Sequence, residues 1–142
     1  MISGERKIRV LVAEDDPEMR ALVAFCLREA GVEVDLACDG RELRAQVAEL
    51  SADVVISDVR MPGWNGMEAL TWLSMNRPEI PVILITGYGD PRTHVRAREL
   101  GAVAVYDKPV DVGELRRMVL SLVRAHEEVR RVCGNRDNSS RA

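Results

Sequence analysis

Apolar residues recur along this chain in two alternating rhythms. Short, nearly unbroken apolar runs, such as IRVLVA at 8–13 and VILI at 82–85, alternate with longer stretches whose apolar residues return every three or four positions. The first kind suits strands covered on both faces, the second amphipathic helices. The spacing predicts a strand over 8–13 and then a helix capped by Asp16, opened by Pro17 and stopped by Gly31, with Met19, Leu22, Val23, Cys26 and Ala30 turned inward. A second strand spans 32–37. Asp39 and Glu42 have capping-box spacing and open a helix with Leu43, Val47 and Leu50 inside. A third strand, 53–57, ends on Asp58, and a helix over about 67–76 follows, with Met67, Leu70 and Leu73 facing in.

A fourth strand, 80–85, ends at Thr86. After Gly87, Tyr88 and Gly89, Asp90 and Pro91 begin a helix that closes at Gly101, with a thin apolar face, chiefly Val95 and Leu100. A fifth strand, 102–106, gives way to Asp107, Lys108 and Pro109. Asp111 and Glu114 open the last helix, marked by Leu115, Met118, Val119, Leu122 and Val123. Residues 133–142 lack apolar periodicity and are expected to form a disordered tail. Five strands alternating with five helices predict a doubly wound α/β fold: a five-stranded parallel sheet between two helix layers. A flavodoxin-like order, 2-1-3-4-5, sets strands 1 and 3 side by side where strand order reverses, the place such sheets bind ligands.

Composition narrows the class. At 142 residues the chain suits one domain, here 7–128, with an extension at 1–6 and a helix extension and tail at 129–142. A formal net charge of -3 argues against direct nucleic-acid binding. No run reaches the roughly 18 apolar residues of a membrane span, and the N-terminal residues lack a signal-peptide core, so no membrane role and a cytoplasmic location are expected. Three cysteines without a CxxC pair make a disulfide framework or zinc site an unneeded reading. Gly63 and Gly66 do not form a phosphate loop, because GxxxxGK[ST] is absent.

The chemistry gathers at strand ends. Strand 1 is followed by Glu14 and Asp15, strand 3 by Asp58, strand 4 by Thr86 and strand 5 by Lys108. Three converging carboxylates repel, and protons or a hard cation such as Mg²⁺ relieve them; an ammonium and a hydroxyl supply charge and a donor for phosphoryl oxygens. Such a set fits phosphoryl transfer with a carboxylate nucleophile. A turn acid, an acidic helix start, a strand-end hydroxyl and a surface lysine are the plainer readings of the same residues taken singly.

The EDD at 14–16, DVRMPG at 58–63, Thr86 and the Lys108-Pro109 pair together resemble the receiver domain of two-component response regulators, over about 7–124. The resemblance implies that Asp58 takes a phosphoryl group from a sensor histidine kinase or phosphotransfer protein. It implies Mg²⁺ held by Asp15, Asp58 and the Arg60 backbone carbonyl, and by Glu14 through water. Lys108 would contact a phosphoryl oxygen, Thr86 would report its arrival, Gly87 would leave the attack path open, and Pro109 would follow a cis bond. Helix 4, strand 5 and helix 5 would present the switched surface to an effector or to a second copy in a phosphorylation-dependent homodimer. Only self-catalysed transfer and slow autodephosphorylation are implied, not an enzyme.

One departure stands out. The position three before the lysine, often Tyr or Phe in the family, is Val105, and Tyr106 one step later points to the opposite face. A switch here then relies on Thr86 and the thinly anchored fourth helix. Arg60 and Tyr88, two residues beyond Asp58 and Thr86, flank the site and are read as gating water. Two alternatives stay open: a degenerate receiver acting by contact, and a Mg²⁺-dependent phosphohydrolase, whose haloacid-dehalogenase pattern wants an Asp where Arg60 stands. Acids in place of a hydroxyl-rich loop disfavour a flavodoxin. His94 and His126 lack ligand spacing and read as surface residues; Trp64 and Trp72 read as packing groups.

Overall fold

The computed structural model describes residues 7–49, 51–87 and 91–140. The extension at 1–6, Leu50, Tyr88, Gly89 and Asp90 lie outside the described residues. Five strands, β1 (Arg9–Ala13), β2 (Glu33–Ala37), β3 (Val54–Asp58), β4 (Val82–Thr86) and β5 (Ala104–Asp107), alternate with helices α1 (Pro17–Glu29), α2 (Gly40–Glu49), α3 (Gly66–Asn76), α4 (Pro91–Glu99) and α5 (Val112–Ser140). All pairings are parallel and the order is β2-β1-β3-β4-β5, as the pattern predicts.

Strand alternation splits the core in two. Leu11, Val55, Val82, Leu84 and Val105 pack with α2, α3 and α4 residues such as Leu43, Leu70 and Ala97. Val10, Val12, Ile56, Ile83 and Ile85 pack with α1 and α5 through Val23, Leu27, Leu115 and Val119. The central strands β3 and β4 are buried along their whole length, which explains why their sequence runs apolar without a break. Val105 and Tyr106 sit on opposite sides of the sheet, Tyr106 with the α1/α5 layer.

The caps follow the sequence. Asp16 accepts from Glu18 N–H (3.1 Å), Asp39 from Glu42 N–H (2.9 Å) and Asp111 from Glu114 N–H (3.1 Å). Three expectations need correction. The inward stripe of α1 is Val23, Ala24 and Leu27, with Met19 partly buried against the same core, while Leu22 is 52% exposed because it stands one helical step, about 100°, off that stripe. In α4 it is Ala97 that is buried, and Val95 faces solvent. The stretch expected as a disordered tail continues α5 through Ser140. Extending a helix already anchored by its first turns needs no new nucleus, so poor formers are carried along.

Candidate functional site

Each predicted strand-end residue is brought to the same edge of the sheet. Asp58 closes β3 and is only 5% exposed; Glu14, just past β1, is 2% exposed. The switch point between β1 and β3 therefore holds two buried carboxylates, with Asp15 beside them in solvent; one ligand oxygen from each of the three lies within 4.8 Å of the others. Lys108, carried past the end of β5, sends its ammonium across β4: Nζ is 2.7 Å from Asp58 Oδ2 and 3.1 Å from Glu14 Oε1. The backbone N–H of Lys108 donates to the Thr86 carbonyl (2.8 Å), and Thr86 is itself buried and in register with Asp107. The Lys108-Pro109 bond is cis.

The loop after Asp58 is pinned to it. Arg60 N–H donates to Asp58 Oδ1 (3.2 Å), and Ser57 Oγ donates to the Asp58 carbonyl (2.9 Å). Gly66 begins α3 directly against this turn: a Cβ there would stand 2.5 Å from the Asp58 carbonyl oxygen. Asn65 and Glu68 form a full capping box at that helix start, a signal the sequence offered in plain view. Farther along, Gly40 N–H donates to the Pro62 carbonyl (3.0 Å), and a Cβ on Gly40 would run into the Trp64 backbone, so α2 braces the loop. Trp64 and Trp72 pack edge to face at 6.4 Å, a packing role as expected. An open cavity of about 500 Å³, lined by Asp15, Arg60, Met61, Asn65 and Met67, leads in from solvent.

Charge at this edge is unbalanced. Burial, followed by the hydrogen bond to Asp58, raises the Glu14 carboxyl to about 7, against the opposing effects of the Asp16 N–H and Lys108. Burial works against the Lys108 ammonium, yet its hydrogen bonds to Asp58 and Glu14 outweigh this and raise its pKa. Glu14 Oε1 is buried with no hydrogen-bond partner among the described residues; Lys108 Nζ is within ion-pair distance of it but poorly aligned. An orphaned carboxylate oxygen among hard oxygen donors fits a divalent cation such as Mg²⁺. A second acidic grouping, Cys38, Asp39 and Glu42, is occupied by α2 capping: Glu42 accepts from Cys38 N–H and donates its own N–H to Asp39.

Some residues carry less than expected and others more. A Cβ on Gly87 would touch Lys108 Cδ at 3.9 Å, an ordinary contact, so packing does not demand glycine there. Tyr88 lies outside the described residues. Arg20, not singled out by any motif, donates from Nη1 to the Glu14 carbonyl (2.9 Å) and steadies the acidic turn. His94 lies at the surface, partly covered, and its Nε2 is 2.8 Å from Oδ1 of the exposed Asp107.

This arrangement can be set against known proteins. Residues 10–120 match the family model for the response regulator receiver domain. The chain belongs to the response regulator receiver family. The receiver is 36% identical over 121 residues to the transcriptional regulatory protein FixJ of Bradyrhizobium diazoefficiens, covering 85% of this chain and 59% of FixJ. It is 38% identical over 128 residues to the C4-dicarboxylate transport transcriptional regulatory protein DctD of Pseudomonas aeruginosa, covering 90% of this chain and 27% of DctD. The chain thus spans under two-thirds of these relatives. Among solved structures, a receiver domain of the Francisella response regulator 1452 superposes with a TM-score of 0.80 at 25% identity, covering 84% of this chain and 99% of that one. A CheY-like receiver from Methanospirillum hungatei gives 0.78 at 26% identity, covering 87% and 99%. The chain thus carries a phosphoacceptor receiver of two-component signalling. No helix among the described residues is long and apolar enough to cross a membrane.

Proposed function

We propose that Asp58 is the phosphoacceptor. One of its carboxylate oxygens attacks the phosphorus of a phosphohistidine on a sensor kinase or phosphotransfer protein. The P–O bond of an acyl phosphate forms, the P–N bond breaks, and the leaving imidazole nitrogen takes up a proton. The observation that carries this reading is a nearly buried Asp58 held 2.7 Å from the Lys108 ammonium at the sheet's switch point. Lys108 then neutralises a phosphoryl oxygen as charge builds. Asp15 and Asp58, the Arg60 carbonyl, and Glu14 through water would hold Mg²⁺. That ion, when bound, supplies positive charge for the phosphoryl oxygens.

Thr86 reports the phosphoryl group to the surface of α4, β5 and α5, which meets an effector or, in a phosphorylation-dependent homodimer, a second copy. Gly87 keeps the approach to Asp58 open, and Arg60 with Tyr88 governs how water reaches the acyl phosphate and so its slow self-hydrolysis. Residues 7–128 make up the receiver unit, with 1–6 and 129–142 outside it, acting in the cytoplasm. Lack of an Asp at position 60 weighs against a haloacid-dehalogenase-type phosphohydrolase, and the intact acid and lysine set weighs against a contact-only module.

The test is intact mass after incubation with acetyl phosphate and Mg²⁺, beside Asp58→Asn. A labile phosphate adduct on the parent alone is expected. An adduct on both proteins would move the acceptor to another carboxylate, and none on either would favour the contact-only reading.

A further inference from the structure

We propose that the His94–Asp107 hydrogen bond is a latch that holds α4 in its resting position and couples that helix to the state of Asp58; this rests on Asp58 being the phosphoacceptor. The contact joins the first turn of α4 to the last residue of β5, with Nε2 and Oδ1 2.8 Å apart. Its weight comes from how little else anchors this helix by apolar packing. Ala97 is the buried residue of α4, Leu100 just beyond it is partly buried, and Val95 is 56% exposed. By contrast, α1 buries Val23, Ala24 and Leu27, and α3 buries Ala69, Leu70 and Leu73. Helices with few buried apolar contacts sit at the low-stability end of a fold, where one polar tie shifts position most.

Asp107 is bound to the site from two directions. It is in register with Thr86, and it is the chain neighbour of Lys108, whose N–H donates to the Thr86 carbonyl and whose ammonium lies 2.7 Å from Asp58. A phosphoryl group on Asp58 adds negative charge and new acceptor oxygens beyond the carboxylate. The ammonium is drawn toward them. Asp107, on the same short strand end, is displaced with it, and its bond to His94 is loosened or re-aimed. The latch gives this chain a link from site to helix where Val105 supplies no aromatic ring.

Coupling of this kind is reciprocal: if the latch favours the resting state, breaking it tightens binding at Asp58. The probe is beryllofluoride with Mg²⁺, the agent that activated the DrrB receiver among the similar structures, titrated by calorimetry alongside amide hydrogen exchange without ligand. His94→Ala and Asp107→Ala are each expected to bind beryllofluoride on the order of 3-fold tighter and to exchange α4 amides faster. The double variant should gain nothing over either single one. His94→Gln, whose amide can still donate to Asp107, should restore the parent values. Unchanged affinity in His94→Ala, or a Gln variant that behaves like Ala, would overturn the latch while leaving Asp58 as acceptor. A parent that binds no beryllofluoride and forms no acetyl-phosphate adduct would remove the acceptor and the latch together.

Discussion

The Lys108 ammonium, 2.7 Å from Asp58 Oδ2, also stands 3.1 Å from Glu14 Oε1, so a single side chain balances two carboxylates buried at the end of the sheet. Its position implies two separable jobs: countering acid repulsion at rest and meeting a phosphoryl oxygen during transfer. Lys108→Ala should separate them. With the ammonium gone, a divalent cation no longer competes with it for the acids, and Mg²⁺ should bind at least about 2-fold tighter. Adduct formation from acetyl phosphate should meanwhile slow at least about 10-fold, because a charge-assisted donor is lost in the transition state. Mg²⁺ titration and timed intact-mass measurements check the pair; weaker Mg²⁺ binding would show that Lys108 organises the acids rather than competing for them.

Glu14 makes the site's stability depend on pH. Its carboxyl is raised from 4.5 to about 7, chiefly by burial and then by the hydrogen bond to Asp58. The folded protein therefore holds this proton more tightly than the unfolded chain does. The stabilisation is complete below about pH 4.5 and is lost as pH rises through about 7. Measured in chelator, the melting temperature of the parent should fall over that window relative to Glu14→Gln, and Mg²⁺ should recover the loss at pH 7 and above. Parallel parent and variant profiles would mean that Glu14 is ionised throughout.

Much of this architecture could be read from the chain because its physics is local. Strand and helix periods differ, the caps at Asp16, Asp39 and Asp111 act within three residues, and parallel strands deliver Glu14, Asp58, Thr86 and Lys108 to one edge. Choices between neighbouring stripes were less legible. Leu22 and Val23 differ by one helical step, both are apolar, and only the facing sheet decides between them. Contacts between distant segments were not legible at all: Gly40 against Trp64 and His94 against Asp107 follow from loop paths that no spacing rule encodes. Arg20 escaped notice because a side chain bonded to a backbone carbonyl leaves no motif.

The two glycines near Asp58 should respond oppositely to a methyl group. At Gly66 an added Cβ would meet the Asp58 carbonyl oxygen at 2.5 Å, and backbone on backbone has little room to yield. Gly66→Ala is expected to cost about 2–3 kcal/mol in urea unfolding and to weaken Mg²⁺ binding by shifting the turn. Gly87→Ala meets only the flexible Lys108 stem at 3.9 Å. It should change stability by less than about 0.5 kcal/mol. Equal losses in the two variants would show that the close approach at Gly66 relaxes easily.

Thr86 tests whether arrival of the phosphoryl group and its transmission are distinct steps. Its side chain is buried at the end of β4, and its carbonyl holds the Lys108 N–H, a backbone bond that substitution leaves in place. Thr86→Val keeps the shape and removes the hydroxyl. Lys108 and the acids are untouched, so the adduct on Asp58 should form within about 3-fold of the parent rate, the hydroxyl's share of transition-state stabilisation being one neutral hydrogen bond. What should shrink is the response. Hydrogen exchange in α4 and β5 should change on phosphorylation in the parent and change less in the variant, which keeps only the route from Lys108 through Asp107 to His94. A variant that phosphorylates normally and shifts its α4 exchange as far as the parent would place the signal wholly on that route.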